Sequence, residues 1–117
     1  MNDETHYQLL KLIEANPEMS QRELANAMDV SLGKVNYCLK AVIARGWVKV
    51  KNFTKNPNKR AYAYYLTPIG FEAKAKVTVR FLMQKIGEYE TLRKEIKHLR
   101  EEISATGSSI TIDIERA

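Results

Sequence analysis

The chain has 117 residues, a net charge of +5, 44% apolar and 28% charged residues, and one cysteine, Cys38. That is one small globular domain with room for an extra helix or tail, too short for a TIM barrel or a two-half Rossmann fold and too apolar for a disordered chain. The longest uncharged stretch, residues 61–71, is half of a membrane span, the acidic opening Met1-Asn2-Asp3-Glu4 is unlike a signal peptide, and a lone cysteine excludes an intrachain disulfide, so a cytoplasmic protein is expected.

The first helix is predicted over residues 4–15, with Leu9, Leu10, Leu12 and Ile13 on its apolar side and Asn16-Pro17 as its stop. Ser20-Gln21-Arg22-Glu23 matches a capping box and opens a second helix that carries Leu24, Ala25 and Met28 and ends near Asp29. Ser31 is the N-cap of a third helix with an apolar stripe at Val35, Leu39, Val42 and Ile43, stopped by Gly46. Only Asp29-Val30-Ser31 separates the second helix from the third, so the pair must cross steeply, as in a helix-turn-helix.

After Gly46 the apolar period drops to two. Residues 47–53 and 60–66 read as two strands around Thr54-Lys55-Asn56-Pro57-Asn58-Lys59, a hairpin with a basic tip. Trp47, Val48, Val50, Tyr62, Tyr64 and Leu66 are expected to pack as core or sheet residues. Thr67 as N-cap and Pro68 at the first helical position start a helix running to about Ile103. Some 35 residues at 1.5 Å each is roughly 50 Å, more than one small domain can cover. Its apolar residues Leu82, Ile86, Tyr89, Leu92, Ile96, Leu99 and Ile103 follow a heptad with one skip near Tyr89 and Leu92, and Gly87 lies beside it. The chain thus reads as mainly α with a small β-hairpin. A winged helix-turn-helix domain covers residues 1–66, a long C-terminal helix for coiled-coil dimerisation covers 67–103, and the tail 104–117 is either a short strand, with Ile110, Ile112 and Ile114 alternating, or disordered.

The charge has an address. Residues 1–33 carry two bases and six acids, residues 34–66 carry eight bases and no acid, and the remainder is nearly balanced. Eight bases without an acid point to a polyanion, and double-stranded DNA is the partner that a helix-turn-helix fits. On the third helix, Ser31, Gly33, Lys34, Asn36, Tyr37 and Lys40 are the candidate DNA-binding residues, with Leu32, Val35, Leu39 and Ile43 taken as inward. Lys34 can donate to guanine or phosphate, Asn36 can pair with adenine, Ser31 and Tyr37 bring hydroxyls, and Gly33 admits a close backbone. Lys55, Asn56, Asn58, Lys59 and Arg60 suit a wing in the minor groove or on its phosphates, and Lys49 and Lys51 suit the backbone. The same face also fits a protein-interaction module that docks an acidic partner. Single-stranded nucleic acid would need more exposed aromatics than Tyr37 and Phe53.

An enzyme has no residues to work with here. His6 and His98 lie at opposite ends without metal-ligand spacing, no glycine-rich phosphate loop occurs, and Cys38 has no histidine partner and reads as a partly buried inert thiol. No cofactor and no metal are expected. Glu14, Glu18 and Glu23 sit near helix ends, where capping and solvation account for them.

The stretch from Ser20 to Gly46 (SQRELANAMDVSLGKVNYCLKAVIARG), followed by WVKVKNF, the NPNKRAYAY wing and LTPIGFEAK, resembles the MarR-type winged-helix transcriptional regulators over roughly residues 5–103, and most closely their exopolysaccharide-associated subgroup. The resemblance implies a bacterial, cytoplasmic, dimeric DNA-binding regulator acting on polysaccharide-biosynthesis genes. Regulators of that type usually carry a further helix before the helix-turn-helix core that shares in the dimer interface and effector pocket. Here the first core helix starts within a few residues of Met1, so the long helix is expected to carry dimerisation largely alone, and no small-molecule effector is assigned.

Overall fold

The computed structural model describes residues 2–53 and 61–107. The wing tip and the tail from residue 108, including the expected Ile110–Ile114 strand, lie outside the described residues. Six elements follow in order: α1 (Asp3–Ala15), α2 (Gln21–Met28), α3 (Leu32–Ala44), β1 (Val48–Phe53), β2 (Ala61–Leu66) and α4 (Pro68–Ala105).

Local chemistry sets each boundary. Asn2 caps α1 by accepting from the Thr5 amide at 2.8 Å. At the other end Asn16 turns extended ahead of Pro17, whose ring excludes the helical region for its predecessor. The predicted box at α2 is present in both directions: Ser20 Oγ accepts from the Glu23 amide at 3.1 Å, and Glu23 Oε1 accepts from the Ser20 amide at 3.3 Å. Asp29 ends α2 in the left-handed region at φ 54°, with the Val30 amide donating back to the Ala25 carbonyl at 3.1 Å. Gly46 plays that part for α3 at φ 76°, and the Trp47 amide returns to the Val42 carbonyl at 3.0 Å. In both cases the bond back across the turn satisfies a carbonyl that the helix end would orphan.

The core is the contact zone of the three helices. Leu9, Leu10 and Ile13 of α1, Leu24, Ala25 and Met28 of α2, and Val35, Cys38, Leu39 and Val42 of α3 are all buried. Two expectations for α3 need correction. Leu32 is 45% exposed rather than inward, and Cys38 is fully buried rather than partly so. Burial of Cys38 turns the buried arc towards it, leaving Leu32 about 70° from the arc's centre at 100° per residue. Ile43, at the same edge, is half-buried.

The hairpin is antiparallel, with Val48 opposite Leu66, Val50 opposite Tyr64 and Asn52 opposite Tyr62. Paired residues share a face, so this face starts in the core at Val48, Leu66 and Tyr64 and leaves it further out. Val50 (40%) and Tyr62 (45%) are therefore exposed, against the expectation that they pack. The Tyr64 amide donates to the Pro17 carbonyl at 2.9 Å, tying β2 to the α1–α2 turn.

The chain divides into two compact units, Met1–Phe81 and Leu82–Ala117. The first takes in the opening of α4 as well as residues 1–66. Thr67 fixes that opening: its Oγ1 accepts from the Gly70 amide at 3.0 Å and donates to the Gly46 carbonyl, while its own amide donates to the Trp47 carbonyl at 3.0 Å. Further along, Val77 is buried, Lys74 pairs with Glu14, Arg80 reaches Asp3 at 3.2 Å, and Phe81 stacks on Tyr7 with ring centroids 5.1 Å apart. Glu14 is thus a docking residue for α4, not only a solvated helix-end acid. In the second unit, α4 continues unbroken through Gly87 and past the expected end at Ile103 to Ala105. From Leu82 to Gly107 every residue except half-buried Ile103 is exposed. Among the described residues no helix is long and apolar enough to cross a membrane.

Candidate nucleic-acid interface

The second helix of the helix-turn-helix, α3, offers its outer face without an acidic residue. Ser31, Gly33, Lys34, Tyr37, Lys40 and Ala44 are exposed along it. Ser31 is the N-cap, its Oγ accepting from the Lys34 amide at 3.1 Å. The first turn keeps unpaired amides of the kind that bind phosphate at helix N-termini. Gly33 sits in a helix, where glycine costs about 1 kcal/mol relative to alanine. Nothing among the described residues asks for it, because an added Cβ would meet only Ser31 Oγ there, at 4.0 Å. The room it leaves opens outwards.

Asn36 is placed differently from the expectation. It is half-buried, and its Nδ2 donates to Gln21 Oε1 at 3.2 Å, while Gln21 Nε2 donates to the Tyr64 hydroxyl at 3.3 Å. This chain of amides links α2, α3 and β2. Sequence periodicity gave no sign of it, because the residues are 15 and 43 positions apart and meet only where α2 packs beside α3 and β2. The chain forms the floor of a groove of about 220 Å³ between α3 and the hairpin, lined also by Lys40, Val50 and Tyr62.

The described bases of residues 34–66 do not form one patch. Lys34 and Lys40 lie on the outer side of α3. Lys49 and Lys51 are exposed on β1, but strand alternation puts them on the face opposite Val50, the face turned away from α3. Lys51 Nζ lies 5.4 Å from the Tyr65 ring centroid, and the Arg45 guanidinium lies 5.0 Å from that of Trp47, both cation–π distances. Lys55, Asn56, Asn58, Lys59 and Arg60 lie outside the described residues. Of the expected pairing residues on α4, Leu82, Ile86, Tyr89, Leu92, Ile96 and Leu99 are exposed and Ile103 is half-buried.

Two titratable groups of the first unit are shifted by burial. Burial pushes the Cys38 thiol up from its ordinary value, with Lys34 opposing, so it stays a protonated packing group rather than a nucleophilic thiolate. Burial also holds His6 below its ordinary value, and Arg45 adds to the effect. The His6 ring meets Trp47 edge-on with centroids 5.5 Å apart, and its buried Nε2 has no hydrogen-bond partner among the described residues. Sequence reading had no signal for this contact, since one ring comes from α1 and the other from the turn into the hairpin.

Residues 2–49 match the family model described as winged helix-turn-helix DNA-binding. No curated protein matches the chain. Solved structures do. The transcriptional regulator SlyA is 17% identical with a TM-score of 0.63, over 94% of this chain and 77% of its own. The Staphylococcus aureus MepR–DNA complex is 16% identical with a TM-score of 0.63, over 94% of this chain and 80% of its own. A MarR/EmrR family transcriptional regulator from Acinetobacter sp. ADP1 is 18% identical with a TM-score of 0.55, over 86% of this chain and 75% of its own. The chain therefore has a winged helix-turn-helix fold of the kind those regulators carry.

Proposed function

We propose that this protein is a homodimeric, sequence-specific regulator of transcription that binds double-stranded DNA. The carrying observation is the acid-free outer face of α3, where Lys34, Tyr37 and Lys40 are exposed beside the open Gly33. A helix of this size fits the major groove, and its N-terminal half carries the groups that reach base edges. Lys55, Asn56, Asn58, Lys59 and Arg60 grip the flanking minor groove or its phosphates, and Lys49 and Lys51 meet the backbone. The α4 stripe from Leu82 to Ile103 pairs two copies, so the operator is pseudo-palindromic with half-sites about one helical turn apart. Support for DNA comes also from the matched family description and from the fold shared with MepR, whose structure is a DNA complex. On the subgroup resemblance, the target genes are those of exopolysaccharide biosynthesis, read in the cytoplasm on the nucleoid.

Titration of a labelled random duplex tests the first step. Binding is expected at low salt, with log affinity falling linearly as log salt rises. Absence of binding at low salt overturns the DNA reading and leaves the basic face to an acidic protein. Selection from a random pool should then return a sequence with two-fold symmetry.

A further inference from the structure

Past Leu82, α4 is a continuous helix that holds large apolar side chains in solvent: Tyr89 is 62% exposed, Leu92 54%, Ile96 40% and Leu99 57%. From Tyr89 onwards their spacing fits one uninterrupted heptad frame. Tyr89, Ile96 and Ile103 occupy its a positions, and Leu92 and Leu99 its d positions. Isoleucine at a with leucine at d is the combination that favours two parallel strands.

The same frame assigns the flanking charges. Glu88, Glu95 and Glu102 fall at g, and Arg93 and Arg100 fall at e. In a parallel, in-register pair each g residue faces the e residue five positions further along the other helix. Glu88 then meets Arg93 of the partner subunit, and Glu95 meets Arg100 of the partner subunit. In an antiparallel pair g faces g and e faces e, which sets glutamate against glutamate and arginine against arginine. On one helix partners stand three or four apart: Glu88 and Arg93 have Lys85 and Glu90 at that spacing, but Glu95 and Arg100 have no Asp, Glu, Lys or Arg of opposite sign there, so intrahelical pairing does not account for the second pair. The intrahelical pair seen here, Lys85 with Glu88 at 3.1 Å, follows the three-residue rule and lies at the edge of the frame.

We propose that residues 88–103 form a parallel, in-register, two-stranded coiled coil with a second copy of this chain, its direction set by the Glu95–Arg100 and Glu88–Arg93 cross-pairs. The inference rests on the homodimer reading above and adds to it the direction, the register and the charge code of the interface. Both chains enter the coil at the same end. Two heptads are short for a free-standing coil, so the test uses the full chain.

Tyr89→Cys and Ile103→Cys are oxidised mildly, each alone and as an equimolar mixture. Fourteen residues of helix separate the sites by about 21 Å. The parallel coil gives a covalent homodimer from each variant alone; an antiparallel pair gives a product only from the mixture and overturns the proposal. Cys38 is buried, and the unsubstituted chain controls for it. Sedimentation supplies a second reading. Glu95→Arg and Arg100→Glu should each raise the dimer dissociation constant roughly tenfold by turning two attractive cross-pairs repulsive, and the double variant should restore it. Single variants that associate as well as the parent overturn the cross-pairs. A parent chain that sediments as a monomer at tens of micromolar removes the homodimer reading itself, whereas cross-linking only in the mixture removes the direction and leaves the dimer standing.

Discussion

Lys34 and Asn36 are two residues apart in sequence and in different situations in the fold. Lys34 is exposed at the first turn of α3, ready for a phosphate or a guanine edge. Asn36 already gives one of its two amide hydrogens to Gln21, so it reads a base with the other hydrogen and its oxygen, or by exchanging that bond. Replacing either with alanine should cost about 1–3 kcal/mol on the selected operator. For Asn36→Ala the loss should fall on the operator and spare random duplex, measured by anisotropy at one salt concentration. Equal weakening of both would make Asn36 a strap between α2 and α3 and not a reader. Its helix position was plain from the stripe of Val35, Leu39 and Val42. The Gln21 contact was not, because it belongs to the angle between two helices.

At the level of elements, α4 meets the α3–β1 turn in close backbone contact. A Cβ on Gly70 would stand 1.9 Å from the Trp47 carbonyl oxygen. Backbone cannot move aside as a flexible side chain does, so Gly70→Ala should cost about 3 kcal/mol through overpacking. Gly87, further along the same helix, has nothing within 4 Å of an added Cβ. There the same substitution should gain helix stability, by about 1 kcal/mol on propensity alone. Denaturation followed by circular dichroism reads both, and the opposite signs are the check. Caps, breakers and the two-residue period made each described helix and strand legible to within about two residues, as expected where side chains close to the boundary decide it. The exposure of Val50 and Tyr62 was not legible, because alternation reports which face a residue takes and not how far the strand outruns the core.

For the whole molecule, charge organises both the inside and the outside. Two acids of α1 are used within the first unit, as Glu14 and Asp3 pair with Lys74 and Arg80 of α4. Exposed pairs of this kind contribute little each, so the apolar core carries the stability of the first unit. His6 gives that stability a pH dependence. Burial, then Arg45, with Asp3 opposing, keeps its folded value below the ordinary 6.5, so the unfolded chain takes up the proton first. The contribution is fully present above about pH 6.5 and is lost as the pH falls through the folded value. The midpoint of thermal unfolding should therefore drop on acidification below pH 6.5, and His6→Gln should flatten that drop; an unchanged profile would assign it to other groups. The sequence by itself determined the order of elements, the helix-turn-helix spacing, the acid-free run from Lys34 to Leu66 and the heptad charges of α4, because capping, periodicity and net charge act between near neighbours. Only the tertiary structure decided that Lys49 and Lys51 face away from Lys34 and Lys40, that Asn36 is held by Gln21, and that His6 is buried against Trp47. Each of those depends on how distant segments cross and pack, and no local spacing encodes a crossing angle.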